Sequence, residues 1–378
     1  MKGNGNGHGH HDEVVLVTGF PAFTARRLAR KIVEGDGKTR VLLLVREKFK
    51  PSALAFVAQL APARRKRIEV LIGDVCDMDL GLASDEFKRV TAETTVIQHA
   101  AGIYYLGVSK EQTFRVNVEG TRRAVELAAE CQRLRRFCHW STAHVAGTRK
   151  GVILEEELDC GQSFFNPYEE SKFQAEKLVQ EASRRLPVTI FRPAIIVGDS
   201  QSGEIDKFDG PYYLLVLIVS SKLDVSLPLP GRGSAPLYVT PIDFVVDAAH
   251  ALSRDERALG RTLHLVDPAP LAARTVYEIV AARAHKRAPR GSIPTGLARA
   301  LLRAPGVERL ARAPLAFLES FNHMAFYNCR GTLELLRGTD IWCPPFESYV
   351  DNLIRFVRDV HAAQKAALEE EVFDPFDA

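Results

Sequence analysis

The sequence predicts a doubly wound α/β fold, a parallel sheet covered by helices on both faces, followed by a smaller and mainly helical lobe. Two observations carry this reading. From residue 14 to about 200, short β-rich runs alternate with segments whose apolar residues recur three or four apart. The runs are also near-continuously apolar, the pattern of strands that meet water on neither face. They are VVLV (14–17), RVLLLV (40–45), IEVLIG (68–73), TTVIQHA (94–100), RFCHWS (136–141) and VTIFR (188–192), with helical segments such as TARRLARKIVEG and NVEGTRRAVELAAECQRL between them. Right-handed crossovers then put a ligand at the carboxyl ends of the strands.

After about residue 200 the rhythm breaks. Turn-rich stretches (DSQSGEIDKFDGP, LPLPGRGSAPLYVTP) lead into helical sequence, and the last residues, ALEEEVFDPFDA, read as a loose acidic tail. Residues 1–12, rich in Gly, Asn and His, read as a flexible tail with no secretory signal. The 378 residues, 46% apolar and 26% charged, can bury a large core without disulfides or metals. A formal charge of +3, from 50 basic and 47 acidic residues, gives no global field for nucleic acid. The six dispersed cysteines form no C-x-x-C pair and read as reduced thiols of a cytoplasmic protein; no metal site is expected. No apolar run reaches bilayer length.

The turn after the first strand, TGFPAFTARR (18–27), stands where a phosphate loop belongs. Its three glycine sites fall on Gly19, Ala22 and Ala25. Gly19 keeps the tightest turn, and alanine at the second site is accommodated if φ is negative. Pro21 removes one N–H, leaving the amides of Ala22, Phe23 and Thr24 at a helix N-terminus, where anions are favoured. At the end of the second strand, VREKFK offers Arg46, whose planar fork suits a 2′-phosphate, with Lys48 and Lys50 adding charge and Glu47 as the competing ribose ligand. NADP(H) is therefore preferred over NAD(H). Asp74 in GDVCD can accept from an adenine amino group, and Ala100 and Ala101 in HAAG let backbone pass close to a ribose.

The chemistry rests on NPYEESKFQAEKLV. Tyr168 and Lys172 lie four apart, on one helix face. An ammonium beside a phenol stabilises the phenolate, which suits the phenol to proton transfer. Upstream, HWSTAHVAG brings hydroxyls to the end of the fifth strand. A hydroxyl, a phenol and an ammonium then surround one carbonyl.

Over residues 13 to 270 the chain resembles the extended short-chain dehydrogenases/reductases, with T-G-x-x-[GA]-x-x-[GA], G-D-x-x-D, the small-residue patch, N-V-x-G-T, S-T-A-x-V and Y-x-x-x-K in the family's order. LLVR, VNVEGT, STAHVAG and FRPAIIVGDSQSGE are most similar to the male-sterility/thioester-reductase branch, which includes fatty acyl reductases and the reductase domains of carboxylic acid reductases. The resemblance implies a Rossmann domain over 13–200 with family-like segments to about 270, a substrate-binding lid lobe over 201–365 and a tail over 366–378. It assigns the catalytic hydroxyl to Thr142, with Ser141 as the alternative, proton donation to Tyr168, its partner to Lys172 and a supporting role to Asn117, for which helix capping is the competing reading. Cofactor contacts from Val75, Pro193 and Ile195 are implied as well. His144, where the branch often carries an aromatic, reads as a packing or pocket-wall residue.

The resemblance implies an NADP(H)-dependent reductase of a lipophilic carbonyl, an acyl thioester or fatty aldehyde, free or carrier-bound. A reductase of lipophilic ketones or hydroxysteroid-like compounds is the rival, and a catalytically silent cofactor-binding regulator a lesser one. DGPYYLLVLIVSS (209–221) fits either a substrate wall or a core segment. Residues 294–326 carry Arg299, Arg303, Arg309 and Arg312 among apolar residues; a substrate lid is preferred there over a membrane-surface or carrier contact.

Overall fold

The computed structural model describes residues 13–35, 37–104, 108–208, 212–220, 229–288, 290–294, 296–297 and 322–371. Seven strands form one sheet: β1 (Glu13–Phe20), β2 (Thr39–Val45), β3 (Ile68–Ile72), β4 (Val96–His99), β5 (Arg136–Trp140), β7 (Val188–Pro193) and β11 (Thr262–Leu265). Their order is β3-β2-β1-β4-β5-β7-β11, and every pair is parallel. The order reverses between β1 and β4, the switch point where such sheets bind ligands.

Alternate residues of the strands enter different cores, which explains the unbroken apolar runs. Val15, Val17, Val41 and Leu43 pack on one face with helix α1 (Phe23–Glu34) and helix α9 (Ile242–Leu252). Val14, Leu16, Leu42 and Leu44 pack on the other with helix α6 (Gly120–Glu130). Helix α1 buries Phe23, Ala25, Leu28, Ala29, Ile32 and Val33, the three-and-four spacing of an amphipathic helix.

The sheet does not end near residue 200. Its edge strand β11 and helix α9 come from beyond that point, after an excursion through β8 (Ile195–Val197) and β10 (Val239–Pro241), which pair with each other. The chain leaves the sheet at β7, builds part of the lobe and returns; a local apolar count does not show this, because TLHL carries only two aliphatic residues.

The lobe has its own core. Helix α8 (Tyr212–Ser220), helix α10 (Ala273–Arg283) and helix α12 (Phe346–Glu371) pack through Tyr212, Leu215, Val276, Tyr277, Tyr349 and Leu353. The described part of YYLLVLIVSS is thus core: Tyr212, Leu215, Ile218 and Val219 are buried, and the Gly198 amide donates to the Tyr212 hydroxyl at 2.7 Å. Helix α12 also corrects the expected acidic tail. ALEEE continues it to Glu371, as strong helix formers do. The basic stretch with Arg299, Arg303, Arg309 and Arg312 and the N-terminal tail lie outside the described residues. A short pair, β6 (Gly151–Ile153) with β13 (Ala325–Tyr327), ties the returning chain to the segment after β5.

Candidate active site

The expected cofactor residues collect at the carboxyl ends of β1 to β4. Gly19 has φ +95°, and a Cβ there would meet the Ala100 and Ala101 backbone at 2.7–2.8 Å. Only glycine lets the first turn lie against the fourth strand's end. Ala22, at φ −52° and ψ 146°, precedes α1, and its amide donates to Gly19 O at 3.0 Å. That bond closes the turn, so the Ala22 amide is not left for a phosphate; Phe23 and Thr24 carry the expectation. Among the described residues no side chain caps α1 and no acid stands in its first turn, which leaves its N-terminal amides to an anion. Ala25 is fully buried, as the close-packing third site requires.

Arg46 follows β2, half-exposed, with its Nε 3.1 Å from Asp74 Oδ2. The other oxygen of Asp74 accepts from the Cys76 amide at 3.0 Å. The two residues expected to touch opposite parts of an adenosine are therefore engaged with one another. Glu47 leans toward Lys50, at 3.8 Å. Val75 is buried against Gly120, whose added Cβ would come within 2.9 Å of it.

Helix α7 (Pro167–Ala182) starts at Asn166, whose side chain accepts from the Glu169 amide at 3.0 Å. It carries Tyr168 and Lys172 to the end of β5. Burial pushes the Tyr168 phenol up to about 12, and a hydrogen bond from Thr142 pulls the other way. Thr142, buried, donates to Pro193 O at 3.4 Å and accepts from the His144 amide at 3.2 Å. Burial lowers Lys172 to about 8, and the Glu176 carboxylate raises it. The Lys172 ammonium donates to Trp140 O. So no cation lowers the phenol in this state; it is a protonated acid.

Ser141 does not compete with Thr142. Its hydroxyl donates to Glu176, inside the protein. Asn117 lies in a π-helical turn, Arg115–Glu119, rather than at a helix start, so the capping reading fails. Its Oδ1 accepts from the Ile103 amide at 2.7 Å, while its Nδ2 donates to Ile103 O at 3.0 Å and Ser171 Oγ at 2.9 Å. With every polar atom used, it positions the loop after β4 against α7. Such turns interrupt a helix where a side chain must be aimed. A Cβ on Gly102 would stand 3.2 Å from Asn117 Oδ1 and 3.8 Å from Lys172 Nζ, so these three residues border one space. Pro193 is buried and meets Thr142 through its carbonyl, whereas Ile195 is partly buried and its amide donates to Tyr238 O at 3.1 Å. His144 packs edge-on to Tyr327, and burial lowers it to about 4.

Several functional neighbours carried no local signal. His99 is buried between Thr18 Oγ1 and Thr121 Oγ1, each 3.0 Å away. Thr121 spends its proton on Asn117 O, so His99 Nε2–H donates to Thr121 and Nδ1 accepts from Thr18. This neutral tautomer agrees with burial and Lys172 holding His99 down to about 3. The chain of bonds joins the end of β1 to the turn that carries Asn117. His139 stacks on His99 at 5.8 Å, and neither of its ring nitrogens has a partner among the described residues.

The family model described as male sterility protein matches residues 17–249, well over half of the chain. The chain belongs to this family. The family places it among the NAD(P)-dependent oxidoreductases of the extended short-chain type. Its similarity to the Drosophila melanogaster fatty acyl-CoA reductase wat is 27% identity, over 65% of this chain and 55% of that protein. With a carboxylic acid reductase of Segniliparus rugosus it shares 28% identity, over 63% of this chain and 23% of that one. The chain thus spans about half or less of the length of these curated relatives. Among solved structures, the terminal R domain of the myxalamid PKS-NRPS biosynthetic pathway superposes with a TM-score of 0.79 at 26% identity, covering 93% of this chain and 91% of that one. UDP-glucuronic acid 4-epimerase from Bacillus cereus, solved in complex with NAD, has a TM-score of 0.66 at 14% identity and shows the fold alone.

Among the described residues of this male sterility family member, all six cysteines are free, no group of His, Cys, Asp and Glu could hold a metal ion, and no helix is long and apolar enough to cross a membrane.

Proposed function

We propose that the protein is an NADP(H)-dependent reductase of a lipophilic carbonyl, an acyl thioester or the aldehyde formed from it. One observation carries the reading: Thr142, Tyr168 and Lys172 converge at the end of β5, next to the turn that Gly19 and Ala100 form. The names of its relatives, a fatty acyl-CoA reductase and a carboxylic acid reductase, support the acyl class.

The chain's residues divide the work. The amides that open α1 fit a pyrophosphate, and Arg46, half-exposed after β2, fits a 2′-phosphate through its planar fork. A bound nicotinamide dinucleotide supplies the hydride. Tyr168, held protonated by burial, donates its proton to the substrate oxygen, while Thr142 adds a second hydrogen bond there. Lys172, which donates to Trp140 O here, would hold the ribose hydroxyls of a bound cofactor and balance the charge when the phenol gives up its proton. A thioester carried through this step gives a hemithioacetal, which releases a thiol and leaves the aldehyde. The lobe that α8, α10 and α12 build serves in this reading to bind the substrate, and the acyl group arrives on a small thiol or a carrier.

The test is cofactor oxidation with long-chain acyl thioesters, fatty aldehydes and lipophilic ketones, each with NADPH and NADH. Thioester or aldehyde turnover faster with NADPH is expected. Turnover of ketones alone transfers the site to the rival reductase reading. NADPH binding without any turnover makes the protein a cofactor-binding regulator.

A further inference from the structure

Glu176 is fully buried one turn beyond Lys172 on α7, and no step above uses it. Its partner Arg192, on β7, is 1% exposed. The Arg192 Nε donates to both Glu176 oxygens at 3.0 and 3.1 Å. The rest of the guanidinium is spoken for: it donates to Glu155 O at 3.2 Å, to Glu157 O at 2.9 Å and to His264 Nε2 at 3.3 Å. His264 Nδ1 faces Asn328 O at 2.6 Å and must donate there, which leaves Nε2 free to accept from the arginine.

Glu176 also takes the Ser141 hydroxyl, while the Ser141 amide donates to Phe191 O at 2.8 Å. Immediately before Ser141 is Trp140, whose carbonyl holds Lys172; immediately after it is Thr142. The bonds therefore close a ring through α7, the end of β5 and the end of β7, and the ring includes Lys172 and the backbone that carries Thr142.

We propose that Glu176 is a positioning residue of the proton-transfer site, fixing the Trp140–Thr142 segment against α7 and keeping the buried Lys172 ammonium charged. The inference rests on the Tyr168–Lys172 reading given above. Stability alone is a weak reason for a buried ion pair, because replacing it with apolar residues of similar volume is often neutral or stabilising. Here the carboxylate is placed where its field acts on a lysine that burial has already lowered to about 8. The other titratable groups around Lys172 offer no such support. Tyr168 is protonated, and His99 and His139, on β4 and β5, are held neutral by burial and by Lys172 itself. Glu176 is the anion that acts on this ammonium.

The experiment uses the full chain with two variants. Glu176→Gln removes the charge but strands Arg192 and can cost the fold. The paired replacement E176M/R192M removes both charges and refills the volume, so it keeps the question answerable. Two quantities are read: the pH at which Lys172 loses its proton, by NMR of lysine-labelled protein without cofactor, and the alkaline limb of kcat with NADPH. Both midpoints should move down by about one pH unit, so that kcat falls about fivefold at pH 8, approaches a tenfold loss at higher pH and recovers toward pH 6. A purely structural role predicts a loss that is equal at every pH, and wild-type midpoints in the paired variant overturn the proposal. Tyr168→Phe is run alongside. If it retains turnover, the reading of the site itself has failed; if it is inactive while the Glu176 variants titrate like wild type, only this inference has.

Discussion

The phosphate turn and the proton-transfer site lie at the same edge of one sheet but are made of different material. Around Gly19 the ligand is offered backbone: a closed turn and a helix start without a side-chain cap. Around Tyr168 it is offered side chains, each held by another: Thr142 by Pro193, Asn117 by Ile103 and Ser171, Lys172 by Trp140 and Glu176. A backbone site depends on φ, ψ and close approach, and tolerates any residue that permits them. A side-chain site depends on particular atoms. This is why two of the three loop glycines can be absent while Tyr168, Lys172 and a hydroxyl at position 142 remain.

The largest effect should follow from the side-chain region. Tyr168→Phe keeps the ring and deletes the acid. General acid catalysis contributes about 10²- to 10⁴-fold, so kcat should drop by that range while NADPH affinity, read by cofactor fluorescence, stays within about threefold. A variant retaining more than a tenth of wild-type turnover would falsify the assignment of Tyr168 as proton donor.

The same contrast governs what was legible in the sequence. The strands were readable because both their faces are buried, and the Y-x-x-x-K pair because four residues make a helical turn. The Arg46–Asp74 contact, the Glu176–Arg192 pair and the His99–His139 stack were not, since each joins residues 16 or more apart with no shared local pattern. One trace of Glu176 did exist: a carboxylate four residues after Lys172, on the helix face that Tyr168 and Lys172 commit to the interior. The choice of Thr142 over Ser141 came from the family motif alone; successive strand residues point to opposite faces, and the packing, which turns Ser141 to Glu176, says which one meets α7. The strand β11 was lost among turn-rich sequence for the same reason, its partner β7 lying about 70 residues earlier.

Stability against pH is a second way to separate the regions, since the side-chain region buries titratable groups and the turn does not. Burial lowers His99 and His264 to about 3, and His139 well below its ordinary value. With folded values depressed, the unfolded chain binds protons that the folded one refuses as pH falls below about 6.5. Stability is therefore full above that pH and declines toward the folded values, by about 1.4 kcal/mol per pH unit for each of these histidines. Urea denaturation at pH 7, 6 and 5 should show this slope. Replacing His139, which has no hydrogen-bond partner among the described residues, by leucine should remove one histidine's share of it. A slope unchanged in His139→Leu would mean that this imidazole charges freely inside the fold.

The smallest effect should come from restoring the glycine that the turn lacks. Ala22 sits at φ −52° and ψ 146°, where any residue is unstrained, and its amide is already spent on Gly19 O. Ala22→Gly therefore relieves no backbone strain and frees no donor. Two opposing terms remain: glycine is the better residue just before a helix, but it also loosens the unfolded chain, and each is worth about 0.5–1 kcal/mol. The net change in stability should be under about 1 kcal/mol, and NADPH affinity should shift less than about threefold, because the amides of Phe23 and Thr24 keep their places at the start of α1. A tenfold gain in affinity would show that the Ala22 methyl had been holding the pyrophosphate off the backbone. The turn would then depend on a side chain after all, and the division between the two regions would not hold.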